Sequence, residues 1–110
     1  NSLIIESKNS TKAMICLKIA WMYRLLMDEI NEKNYINQAL IAFNDTFINE
    51  NLPVYGLDRF SIMFLIGELH RRVGEDTSAL RWFSEVITSI GAPQKVKEMA
   101  RDGKDKIRRY

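Results

Sequence analysis

The single histidine, His70, sits beside Arg71 and Arg72, and an imidazole is the side chain best suited to general-base work near neutral pH. It lies within an apolar helical run, at a position where a helical hairpin packs a large ring, so it is read as a packed side chain. The single cysteine, Cys16, is flanked by Met14, Ile15, Leu17 and Ile19, with no base or cation cluster to generate a thiolate. A structural thiol is expected, and one cysteine excludes an internal disulfide framework and suits a reducing cytoplasm. Glu29 and Glu32 stand one turn apart among Asn and Lys, and are read as solvated. Glu-x-x-His, His-Glu-x-x-His, Cys-x-x-Cys and phosphate-cradling glycine patterns are absent from the sequence. No catalytic residue, metal site or cofactor is therefore expected, and the chain is not read as an enzyme.

Recognition chemistry is better represented. Trp21 one turn from Arg24, with Lys18 nearby, could take an apolar anchor and an anionic group. Phe64, Glu68, Arg71 and Arg72 form a second group, whose guanidinium forks suit carboxylates. The spacing of Glu68 and Arg72 also suits an intrahelical ion pair, and Arg24 could pair with Asp28. A third group, Lys97, Arg101, Lys104 and Arg108, shares one face of the last helical run and could meet nucleic acid. Glu98, Asp102 and Asp105 interrupt that face and no aromatic interleaves it, so a solvated face is preferred and nucleic acid is disfavoured.

These residues are carried by helical patterns. After residues 1–9, read as an N-terminal tail with an apolar patch at Leu3, Ile4 and Ile5, Ser10 is a natural N-cap. Ala13, Leu17, Ala20, Trp21, Leu25 and Met27 then recur at helical spacing, which predicts a first helix reaching Ile30. Asn31 to Asn34 reads as a turn, and a second helix is expected from about Tyr35 to Asn49 with Ile36, Ala39, Leu40, Phe43, Phe47 and Ile48 as its stripe. Pro53 and Gly56 mark the linker, Asp58 caps a third helix over Arg59–Val73, and Gly74 stops it. A fourth helix is expected over Glu75–Ile90, with Trp82 among its inward residues, and a fifth from Pro93. Gly103 weakens the fifth.

The pattern repeats. Ala39-Leu40-x-x-Phe43 and Pro53 recur forty residues later as Ala79-Leu80-x-x-Phe83 and Pro93. Cys16-x-x-Ile19-Ala20-x-x-Tyr23 recurs forty-seven residues later as Met63-x-x-Ile66-Gly67-x-x-His70. Small residues that let two helices approach, followed by a ring that fills the adjacent space, are the skeleton of a tetratricopeptide helix hairpin. The expected architecture is all-α: a right-handed tetratricopeptide-like solenoid of about five helices in one domain, residues 10–110. It comprises hairpins at 10–49 and 58–90 and a capping helix at 93–109.

The segments Lys12-Ala13, Ala20 to Arg24, Phe64 to Gly74, Ala79 to Phe83 with Val86-Ile87, and Ala100-Arg101-Asp102 resemble the bacterial family known as domain of unknown function 2225. The resemblance covers most of residues 12–105. It implies a tetratricopeptide-like helical domain of a cytoplasmic protein in Gram-positive bacteria. Members of the family carry a cysteine-pair zinc region ahead of the helices, which nothing here matches. The family has no established activity.

A net charge of +2 over 110 residues requires neither nucleic acid nor an anionic membrane, and no apolar stretch approaches a membrane span of about 20 residues. Lacking an initiator Met and a signal-peptide pattern, the chain is expected to be part of a longer cytoplasmic protein. The function expected is protein or peptide binding on a concave face lined by Lys18, Trp21, Arg24, Phe64, Glu68, Arg71 and Arg72. The alternatives are pairing of two copies through Leu3, Ile4, Ile5 and Trp82, and nucleic-acid association through the last helix.

Overall fold

A computed structural model of the chain describes residues 9–49 and 58–107, which form five α-helices and, among those residues, no strand. They are α1 (Asn9–Leu25), α2 (Glu29–Asn49), α3 (Arg59–Arg72), α4 (Asp76–Thr88) and α5 (Gln94–Ile107). The described residues are all-α, as their periodicity predicts. Residues 1–8, with Leu3, Ile4 and Ile5, and the linker with Pro53 and Gly56 lie outside the described residues, while Asn9 already belongs to α1. None of the described helices is long and apolar enough to cross a membrane. The helices divide into two compact units, α1–α2 and α3–α5.

In the first unit the predicted boundary moves. The first helix ends at Leu25 rather than Ile30, and Asn31 to Asn34 are helical rather than a turn. Met27 adopts φ +60°, its N–H donates to the Arg24 carbonyl (3.1 Å) and the Asp28 N–H to the Tyr23 carbonyl (2.9 Å). Those paired bonds satisfy the last carbonyls of α1 in the manner of a Schellman stop. Asp28 then caps α2, its carboxylate accepting from the Asn31 backbone N–H (3.2 Å) and side-chain amide (2.7 Å). A left-handed conformation costs a non-glycine residue about 1–2 kcal/mol, and the Met27 side chain is 86% exposed, so it gains little by burial. Met27→Gly is accordingly expected to stabilise the hairpin by about 0.5–1 kcal/mol, seen as a raised melting temperature.

Small residues line the seam of this hairpin. Ala13 and Ala20 of α1 are buried, as are Ile36, Ala39, Leu40, Ala42 and Phe43 of α2. Thr46 is buried too, and its hydroxyl donates to the Ala42 carbonyl at 2.8 Å, so no polar atom is stranded there. The larger members of the expected α1 stripe point elsewhere: Trp21, Leu25 and Met27 are exposed, and Ile48 of α2 is exposed as well. Alanine at the seam allows close helix approach, which leaves long side chains to the outer surface.

The second unit keeps its predicted starts and stops to within two residues. The Asp58 carboxylate accepts from the Ser61 N–H (2.7 Å), and Gly74 at φ +83° ends α3, with the Glu75 N–H on the His70 carbonyl (2.9 Å). Pro93 precedes α5 as its cap, its carbonyl accepting from the Lys97 N–H (3.1 Å). Phe83 of α4 is fully buried between two glycines. A Cβ on Gly67 of α3 would lie 2.8 Å from Phe83 Cε1, and one on Gly103 of α5 would lie 2.7 Å from Phe83 Cζ. Gly103 therefore does more than weaken a helix; it admits the ring.

The two hairpins turn in the same way at their tips. Tyr23, Arg24, Met27 and Asp28 correspond to His70, Arg71, Gly74 and Glu75 at the offset of forty-seven, and both sets make the same pair of turn hydrogen bonds. The seven additional residues of the first hairpin lie inside α2. Ala39 is about 15 Å along α2 from its start, whereas Ala79 is about 5 Å along α4.

Candidate functional site

The residues singled out for protein or peptide binding fall on α1 and α3, one helix in each unit, and the basic group falls on α5. On α1, Lys18 is exposed, Trp21 is 50% exposed, and the Arg24 guanidinium lies over the Trp21 ring, 5.8 Å from its centroid. Arg24 pairs with Glu32 across the hairpin tip (3.6 Å) instead of with Asp28, whose carboxylate is committed to the α2 cap. Glu32 is thus tied in rather than fully solvated. Around this trio Ile15, Met22, Leu25 and Leu26 are each more than half exposed. The helix carries Lys12, Lys18 and Arg24 and no acidic residue. Its outer surface therefore combines large apolar side chains with the two lysines, Arg24 being paired with Glu32 of α2.

On α3 the charges satisfy one another. Arg71 grips Glu68 through Nε (3.1 Å) and Nη2 (2.5 Å), and Arg72 Nε reaches the same carboxylate at 3.3 Å. Both forks proposed for a ligand carboxylate are thus already on a carboxylate of their own helix. Burial pushes the Glu68 carboxyl up, but the hydrogen bonds and charges of Arg71 and Arg72 outweigh it and hold the group below its ordinary value. The hydrogen bond to Glu68 raises the Arg71 guanidinium in turn. A carboxyl depressed in the folded state stabilises fully above its unfolded value, and that contribution disappears as pH falls through the folded value. Acid titration of stability is expected to show this loss in the wild type, and Glu68→Gln to flatten that limb.

Phe64 is half-buried, tilted against Phe83 with ring centroids 5.7 Å apart. With Leu65, Glu68 and Arg72 it borders a cleft of about 280 Å³ closed on its other side by Met99, Asp102, Gly103 and Lys106 of α5. Asp102 and Lys106 pair at 3.4 Å. The cleft rim therefore carries two cations against two carboxylates already bound to them.

On α5, Arg101 is exposed, whereas Lys97 and Lys104 are half-buried and Lys104 Nζ reaches Ser84 Oγ at 3.4 Å. Ala100, Gly103 and Ile107 bury the adjoining face, which explains why the two lysines are partly covered. Arg108 lies outside the described residues. His70 is tucked in at the end of α3, Nδ1 on Glu75 Oε1 at 2.8 Å, so it bridges the same turn that Gly74 forms. Cys16 is half-buried; burial pushes its thiol up, against a smaller opposing pull from Lys12. Among the described residues no three His, Cys, Asp or Glu side chains gather as a metal set.

Three residues take roles other than those expected: Met27 forms the turn rather than part of the helical stripe, Asp28 caps α2 rather than pairing with Arg24, and Glu32 pairs with Arg24. The repeat held the signal for the first two, since the offset of forty-seven carries Gly74 back onto Met27.

A family model described as an uncharacterized protein conserved in bacteria (DUF2225) matches residues 1–107. No curated protein and no solved structure matches the chain.

Proposed function

Since the chain belongs to this bacterial DUF2225 family, we propose that it is a non-catalytic, protein-binding helical module working in the cytoplasm, with the outer face of α1 as its contact surface. The observation that carries this reading is the set of large apolar side chains left exposed from Ile15 to Leu26, along α1 and its C-terminal turn, on a helix whose own charges are all positive. Contiguous apolar surface of that kind marks interaction sites in soluble proteins. A tetratricopeptide-like build is supported by the matching hairpin tips and by α5, which packs on both α3 and α4 as the first helix of a further repeat would. The α3 arginines have less claim to a ligand, since Glu68 occupies them.

Pairing of two copies through Trp82 has less behind it, because that side chain is half-buried. Nucleic-acid association through α5 is weakened by the partial burial of Lys97 and Lys104.

Affinity capture from a bacterial lysate tests the reading. Wild type and Arg72→Gln should hold the same protein partners, and Trp21→Ala and Leu26→Asp should lose them at unchanged helicity. Partners retained by both α1 variants would contradict the assignment.

A further inference from the structure

The outer side of α1 has an order that a generic sticky patch lacks. Ile15, Ile19, Met22 and Leu26 follow one another at spacings of four, three and four, which places them within about 60° around the helix. This alternation is the seam one helix presents to another, where each side chain enters a gap on its neighbour. Ile15, Met22 and Leu26 are 52%, 60% and 70% exposed, and Ile19 is half-buried at the edge. The seam runs about 17 Å, some three turns, which is the length over which amphipathic helices place their anchors. Methionine at its middle adapts to differing partner side chains.

The charges beside this seam decide what kind of helix it takes. Lys12 and Lys18 are both exposed and lie on opposite flanks of it, about 60° to either side of Ile15. No acidic side chain on α1 neutralises them. A partner with basic flanks would meet like charge on both sides, while one with acidic flanks would meet opposite charge on both. A second copy offering its own α1 would set lysine against lysine, so charge disfavours self-pairing through this face. Two cations are also few for an anionic bilayer, where each contributes about 1 kcal/mol.

We infer that the outer face of α1 docks an amphipathic helix of another protein whose apolar seam is flanked on both sides by aspartate or glutamate. This rests on the protein-binding reading above and narrows it to a partner class.

The test uses the full chain and a labelled synthetic helix of about 18 residues, five turns, with leucines at alternating three and four spacing and glutamates on both flanks. Its twin carries lysines in place of the glutamates. The glutamate helix is expected to bind at least about tenfold more tightly than its twin, with affinity falling as salt rises. Lys12→Glu with Lys18→Glu should invert that preference, a result that loss of folding could not produce. Leu26→Asp should weaken the glutamate helix by about 30-fold, the scale of losing an apolar anchor and burying a charge in its place. Equal affinity for the two helices, or indifference to these substitutions, would overturn the inference. Binding to phosphatidylserine vesicles in place of either helix would do so as well, as would a concentration-dependent mass abolished by Leu26→Asp. Lysate capture that still depends on α1 while the glutamate helix fails would sink the partner class alone; capture independent of α1 would sink the protein-binding reading beneath it.

Discussion

Phe83→Ala is expected to lower the stability of the α3–α5 unit by about 3–5 kcal/mol, the usual cost of removing a fully buried aromatic ring. The ring is the shared filling between three helices: α4 carries it, and α3 and α5 each bring a glycine against it. Urea unfolding followed by Trp82 fluorescence, in a Trp21→Phe background, would read the effect directly. The glycines supply a sharper check on the cause. Gly103→Ala gains up to about 1 kcal/mol of helix propensity. It also places a methyl group 2.7 Å from the Phe83 ring, an overlap expected to cost about 1–3 kcal/mol. Gly67 blocks the ring's retreat toward α3, so the wild-type background should show a net loss. In a Phe83→Leu background the overlap goes and the propensity remains, so Gly103→Ala should turn neutral or stabilising. A substitution that stays equally harmful in both backgrounds would show that Phe83 is not what the glycine accommodates.

Phe43→Ala should be comparably damaging to the α1–α2 hairpin, again by about 3–5 kcal/mol. The buried seam of that hairpin is built largely of alanines, and its fully buried large side chains are Phe43 and Ile36, with Thr46 beside them. Among the described residues of this unit few other large side chains are fully buried, and a loss of this size is a large part of a small unit's stability. Trp21 fluorescence in a Trp82→Phe background should report a much lower unfolding midpoint, accompanied by reduced helicity. An unchanged midpoint would mean that Phe43 does not anchor the seam.

Much of the second unit was legible because its boundaries carry residues with one main conformational use. Asp58 caps, Gly74 reverses the chain, and Pro93 precedes a helix, and each acts within a residue of its expected place. The first unit hid its turn. Leu25-Leu26-Met27 continues an apolar run, and a methionine in the left-handed region leaves no compositional mark. Asp28 reads as one more helix-surface acid until Asn31 is seen hydrogen-bonded to it.

The candidate site was legible in part for a related reason. Helix α1 is apolar on both sides, so periodicity alone could not say which side faces α2. Side-chain size settles it, since Ala13 and Ala20 take the close seam and Ile15, Met22 and Leu26 remain outside. Trp21, Arg24 and Lys18 were therefore found for their chemistry, while the seam beside them was not. On α3 the spacing of Glu68 from Arg71 and Arg72 was visible in the sequence. What it could not show is that one carboxylate holds both guanidinium groups at once.

The most direct test of where partners bind is site-specific photo-crosslinking in living bacteria, with benzoylphenylalanine replacing Met22 of α1 or Arg101 of α5. Both positions are exposed, and they sample the apolar face of α1 and the basic face of the last helix. Protein adducts from position 22, with none from position 101, are the expected result. Adducts from position 101 alone would contradict the assignment and return the basic face of α5 to first place.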